Sequence, residues 1–191
     1  PCLNESQLLR AILNDFGIQV RSDDRLELIE QLNEFLLTQA ERGRNVLIVI
    51  DEAQDLEQEV MEQVRLLSNL ETDEHKLMQI VLAGQPELRE RLAQHELRQL
   101  RQRILIRCHL SPLTMDEVSE YIAHRLRIAG AGSDVVFEAE AVQHIYEYSS
   151  GIPRLINAVC DLAMLGGYAA QVTTIGPVQV SKALQQLECA V

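Results

Sequence analysis

The sequence predicts an α/β layer over about residues 1–112, followed by a small all-helical bundle over 113–191. Three observations carry that expectation. Two continuous aliphatic runs, Val46-Leu47-Ile48-Val49-Ile50 and Ile80-Val81-Leu82-Ala83, have the length and composition of strands buried on both faces of a parallel sheet. Helical patterns alternate with these runs as far as residue 110. After Ser111-Pro112 only helical patterns remain, so the 191 residues read as two small domains.

Asn4-Glu5-Ser6 opens the first helix, which carries Leu8, Leu9, Ile12 and Leu13 on one face and ends at Gly17. Ser22-Asp23-Asp24 caps a long second helix with Leu26, Leu28, Ile29, Leu32, Phe35 and Leu36, and Gly43 stops it. The first strand follows at 46–50 and a third helix at about 57–70. The second strand ends in Gly84-Gln85-Pro86, where Pro86 starts a helix over 86–97 because the first helical position needs no N–H donor. Ile104 to Leu110 is expected to be a third, shorter strand. Thr114-x-x-Glu117 is a capping box for a helix to about Ala129. Further helices are expected from Glu138 to Ser149, from Pro153 to about Ala170, and from Pro177 to about Leu187.

Composition narrows the classes of function. Hydrophobic residues make up 47% of the chain and charged residues 24%, which suits a packed core and excludes a disordered tail. No apolar run approaches a membrane span, and Pro1 to Glu5 has no basic cluster or apolar stretch of a signal peptide, so the region is expected to be neither secreted nor membrane-embedded. The net charge of −12 argues against coating a nucleic-acid duplex. Residues 1–77 carry 7 basic and 17 acidic groups, while Arg89, Arg91, Arg98, Arg101, Arg103 and Arg107 crowd one later stretch. Cys2, Cys108, Cys160 and Cys189 form no C-x-x-C pair, and the five histidines have no metal-ligand spacing. Cys108 and Cys160 sit among apolar neighbours and are expected to be buried, reduced thiols.

The chemistry concentrates in four places. Val46–Ile50 followed by Asp51-Glu52 is the Walker B pattern: a strand ending at the carboxyl edge of a parallel sheet, where ligands bind. Asp51 there suits the water shell of magnesium, and Glu52 the orientation and deprotonation of water attacking a γ-phosphate. A buried strand followed by an acidic turn accounts for the same letters without any nucleotide. Gln85 ends the second strand, beside Asp51 if the two strands are neighbours; alone, it reads equally as a helix cap. Arg101 and Arg103, just before the expected third strand, are placed either to reach a phosphate on a neighbouring subunit or as plain surface charge. Arg154, in Gly151-Ile152-Pro153-Arg154, lies in the first turn of a helix, where its charge opposes the helix dipole and invites a compensating anion.

Together with LSPLTMDEVSEYIAHRL, the motifs DEAQ, LAGQPEL, LRQRI and SSGIPRLIN resemble the AAA+ ATPases of the general secretion pathway protein A type, a group that includes pilus-biogenesis and exosortase-locus ATPases. The resemblance runs from about Pro1 to Leu187. It implies a P-loop parallel sheet with a helical lid, ATP and magnesium as cofactors, and self-assembly through subunit-bridging sites. It further implies that Asp51 and Glu52 are the Walker B pair, Gln85 sensor 1, Arg103 or Arg101 the arginine finger, and Arg154 sensor 2. Secretion or pilus-assembly proteins are the implied partners. A cytoplasmic location follows, with the inner membrane reached only through segments of a full-length parent.

The chain departs from that pattern in one respect. Neither of its two lysines, Lys76 and Lys182, lies in a Gly-x-x-x-x-Gly-Lys-Ser/Thr loop. In the family that loop and two strands precede the helix placed at 4–15, so the chain is expected to be a partial core that starts past them. Such a piece is expected to leave apolar sheet edges unpaired and not to hydrolyse ATP by itself. Two other functions fit the same residues: a non-catalytic interaction module that docks through its helical half, and an ATPase of a DNA-transposition or DNA-processing complex.

Overall fold

A computed structural model describes residues 4–72, 76–132 and 135–189. Cys2 and His75 lie outside the described residues. The chain divides into two compact units, Pro1–Arg107 and Cys108–Val191.

In the first unit, helix α1 (Glu5–Asp15) begins on an Asn4 capping box: the Asn4 side chain accepts from the Gln7 N–H, and the Gln7 side chain accepts from the Asn4 N–H, both at 2.9 Å. Helix α2 (Arg25–Glu41) starts from Asp24, whose carboxylate accepts from the N–H groups of Leu26 and Glu27. These two helices and α3 (Gln58–Leu67) present Leu8, Leu9, Leu13, Leu28, Leu32, Leu36, Val60, Met61 and Val64 to one core. Phe16 stacks on Phe35 at 4.9 Å beside it. Gln63 is buried in α3 and accepts from the Arg25 guanidinium at 2.7 and 3.2 Å, while Arg25 pairs with Glu5 at 3.0 Å. That bridge ties three helices through one arginine.

Strands β1 (Val46–Ile50) and β2 (Met78–Leu82) pair in parallel, with Val46 opposite Met78 and Ile50 opposite Leu82. Burial on both faces was expected of them, and only one face is buried. Side chains alternate across a strand: Val46, Ile48 and Met78 enter the helical core, while Leu47 and Val49 are 54% and 60% exposed. Within this unit the core helices lie on the Val46/Ile48 side, which leaves the alternate positions uncovered.

The expected strand over 104–110 is absent. Those residues have no regular structure and make no ladder, and Leu105, Ile106 and Leu110 are 86%, 86% and 88% exposed. A strand persists where a neighbour takes its N–H and C=O groups, and β1 and β2 pair only with each other among the described residues. Cys108, in the same segment, is exposed rather than buried.

The helix expected over 86–97 ends early, as α4 (Pro86–Ala93), and a second short helix that was not expected, α5 (Arg98–Arg103), follows it. The reason is angular. At about 100° per residue, a straight helix would turn Leu97 to the face opposite Leu88. The break at Gln94 lets Leu88, Leu97 and Leu100 all enter the core.

The second unit packs helices α6 (Met115–Ile128), α7 (Ala139–Ser149), α8 (Pro153–Ala169) and α9 (Pro177–Glu188) around Val118, Ile145, Ile156, Val159 and Val180. It also holds what the helical periodicity did not announce: a two-residue parallel pair, β3 (Val136–Phe137) with β4 (Thr174–Ile175). Both pieces are β-branched or aromatic and lie between helix ends. Gly167 leaves room for Ile175, whose Cδ1 lies 2.4 Å from where a Cβ would stand. Cys160 is buried, and burial, with a smaller contribution from Asp161, pushes its thiol up to about 12, so it stays protonated and unreactive.

Helix α6 carries a pH dependence. The Thr114 N–H and hydroxyl both donate to Glu117, at 2.7 and 2.9 Å, and these bonds hold the Glu117 carboxyl below its ordinary value. A carboxyl depressed in the folded state adds stability above its unfolded value, and loses that contribution as pH falls through the folded one. Thermal unfolding followed from pH 7 down to pH 3 is therefore expected to fall less steeply for Glu117→Gln than for the wild type.

Candidate active site

The site is built where β1 and β2 end together. Ile50 and Leu82 are in register, and past them the Ala83 N–H donates to the Ile50 carbonyl and the Ala53 N–H to the Ala83 carbonyl, both at 2.9 Å. This interlock brings Asp51-Glu52 against Gly84-Gln85. Glu52 adopts a left-handed conformation, φ +50°, at the entrance to a 3-10 turn over Ala53–Asp55. For a residue with a side chain that is uncommon backbone, of a kind that gathers at functional sites. The Glu52 N–H donates to Asp51 Oδ1 at 2.9 Å.

The Glu52 carboxylate is tethered through one oxygen. Oε2 accepts from Gln54 Nε2 at 2.7 Å and from Gln85 Nε2 at 3.2 Å. The Gln54 side-chain carbonyl in turn accepts from the Gln85 N–H at 3.1 Å, and the Arg91 guanidinium of α4 donates to the Gln54 backbone carbonyl. Gly84 makes the close approach possible, since a Cβ there would stand 2.5 Å from Gln54 Oε1. Asp51, Glu52 and Gln85 are all exposed.

Of the sequence-derived candidates, Asp51, Glu52 and Gln85 come together at this edge. Arg101 and Arg103 are on α5 of the same unit. The Arg101 guanidinium is engaged at 3.2 Å by the Ala93 carbonyl, whereas Arg103, the last residue of α5, is exposed and has no side-chain partner among the described residues. Arg154 lies in the second unit, exposed in the first turn of α8. Gln54 and Arg91 also meet at this edge, and neither is among the sequence-derived site candidates. The final letter of DEAQ was the available signal for Gln54.

The residues fit a magnesium nucleotide. Among the described residues, Asp51 Oδ2 and Glu52 Oε1 have no protein partner. No three His, Cys, Asp or Glu side chains gather into a metal cage among the described residues. Magnesium held by phosphates and water needs only one or two carboxylates, and Asp51 offers one.

The sequence pattern of the AAA domain matches residues 1–92. General secretion pathway protein A of Aeromonas hydrophila is 45% identical over 170 residues, which is 88% of this chain and 31% of that protein. Among solved structures, the Aeropyrum pernix ORC2 protein superposes with a TM-score of 0.72 at 19% identity, covering 98% of this chain and 50% of its own. Cdc6p from Pyrobaculum aerophilum gives 0.68 at 16%, covering 96% and 50%. The Thermotoga maritima RuvB Holliday junction branch migration motor gives 0.61 at 21%, covering 98% and 59%. At these identities the structures speak to the fold alone.

The fold is that of the P-loop AAA+ ATPases. Within the class, the sequence sits with the general secretion pathway protein A type. The chain spans about a third of the relative it matches.

Proposed function

We propose that this chain supplies the hydrolytic edge of an AAA+ ATPase that couples ATP binding and hydrolysis to assembly of a bacterial secretion or pilus machine. The observation that carries the reading is the meeting of Asp51, Glu52 and Gln85 at the joined ends of two parallel strands, with one oxygen of each carboxylate free of protein partners among the described residues. Magnesium on ATP would neutralise charge building on the phosphates. Asp51 would hold its water shell, Glu52 would orient and deprotonate the attacking water, and Gln85 would contact the γ-phosphate. Arg103 is the better finger of the two arginines, because Arg101 is already engaged by the Ala93 carbonyl. Residues 113–191 are read as the lid, with Arg154, exposed in the first turn of α8, as its sensor 2 arginine.

A phosphate-binding glycine loop is not among the 191 residues, so the phosphate grip has to come from outside them. The chain by itself is therefore proposed to bind ATP poorly and not to turn it over. It works as a homo-oligomer on the cytoplasmic side, with secretion or pilus-assembly proteins as partners. No described helix is long and apolar enough to cross a membrane. The solved ORC2 structure is of complexes with ADPNP and ADP, which supports nucleotide as the ligand of this fold and says nothing of substrate.

The test is calorimetry of magnesium–ATP binding, on this chain and on a longer parent polypeptide that includes the glycine loop. Binding by the longer protein alone is the expected result. Binding by neither would leave the interaction-module reading in its place.

A further inference from the structure

Resting on the ATPase reading, we propose that Gln54 is a positioning residue for the hydrolytic glutamate: it anchors Glu52 Oε2 so that Oε1 alone is presented to the attacking water. A glutamine amide carries a donor and an acceptor in one plane, and Gln54 uses both. Its Nε2 donates to Glu52 Oε2 at 2.7 Å, and its Oε1 accepts from the Gln85 N–H at 3.1 Å. The Gln85 side chain adds a second donor to the same Glu52 oxygen at 3.2 Å. Oε2 is thus filled from two sides, and Oε1 keeps its lone pairs.

The rest of the turn serves the same end. Left-handed backbone at Glu52 folds the chain back so that a side chain two residues on meets its carboxylate. Arg91 fixes the Gln54 carbonyl from α4, and Gly84 leaves the space that the Gln54 amide fills. The amide also links the glutamate to the Gln85 backbone. A shift of Gln85 toward nucleotide would therefore move Glu52 as well.

The experiment compares Gln54→Met and Gln54→Glu with the wild type in the parent polypeptide that turns over magnesium–ATP. Methionine keeps the side chain's length and bulk but neither donates nor accepts at strength. Glutamate keeps an acceptor and sets a second negative charge against Glu52. Both are expected to lower kcat by about tenfold to a hundredfold, as slight misplacement of a catalytic group does, with KM for ATP within about twofold and Gln54→Glu the worse. Wild-type kcat in Gln54→Met, a rise in kcat, or an effect confined to KM would overturn the role. Should Gln54→Met not fold, side-chain amide NMR of the wild type decides. Gln54 amide protons that are slow to exchange and lose that protection in Glu52→Ala support the role; solvent-like exchange in the wild type overturns it. A wild-type parent without ATP turnover overturns the ATPase reading and this role with it, whereas an active wild type with an unaffected Gln54→Met overturns the role alone.

Discussion

Gly151→Ala is expected to unfold the helical unit or leave it barely stable. Gly151 lies at φ +78°, in the left-handed region, and a Cβ built on it would stand 1.9 Å from the Leu113 carbonyl oxygen and 2.9 Å from two further Leu113 backbone atoms. The two segments cannot simply move apart, because the Leu113 N–H donates to the Gly151 carbonyl at 2.9 Å. Left-handed backbone alone costs an alanine about 1–2 kcal/mol. With the backbone overlap added, a total of about 4 kcal/mol is expected, a large part of the ~5–15 kcal/mol that holds a domain together. Gly130→Ala is the control: Gly130 has the same φ of +78° but nothing within 4 Å of its Cβ position. It is expected to lose only the backbone cost, about 1–2 kcal/mol. Urea unfolding of the two variants, followed by circular dichroism, separates the costs; equal losses would mean that the Leu113 approach does not matter.

Arg103→Ala is expected to lower ATP turnover by about a thousandfold in the assembled parent, the scale on which arginine fingers act. Arg103 ends α5 with its guanidinium exposed and unpaired among the described residues. Arg101→Ala is expected to do much less, because that guanidinium is spent on the carbonyl of Ala93 at 3.2 Å, within its own subunit. Action across subunits has its own signature. Mixing Arg103→Ala subunits with Glu52→Gln subunits should restore turnover, since the intact finger of one can reach the intact glutamate of the other. Turnover that survives Arg103→Ala, or mixtures that stay inactive, would count against the assignment.

The sequence made the helix starts legible because their chemistry is local: Asn4 with Gln7 and Thr114 with Glu117 each close a capping box within one turn. The β1 and β2 strands were legible as aliphatic runs, but their one-sided burial was not, since it depends on where the helices settle. Ile104–Leu110 has strand-like letters, yet pairing is a property of two segments, and among the described residues no neighbour is there to pair. The break before α5 could have been read from the opposed angular positions of Leu88 and Leu97. At the site, Asp51, Glu52 and Gln85 were legible because each closes or follows an apolar run. Gln54 was not, because its contact with Glu52 appears only once Glu52 turns left-handed and folds the chain back on itself. Gly151 stood out as a glycine ahead of Ile-Pro, but its contact with Leu113 is tertiary.

Glu52, at the joined ends of β1 and β2, is proposed to activate water against ATP. Phosphate release from magnesium–ATP by the assembled parent, wild type against Glu52→Gln, tests it most directly. Turnover is expected in the wild type, with its loss by at least about a hundredfold in Glu52→Gln and nucleotide binding retained. Undiminished phosphate release from Glu52→Gln would contradict it.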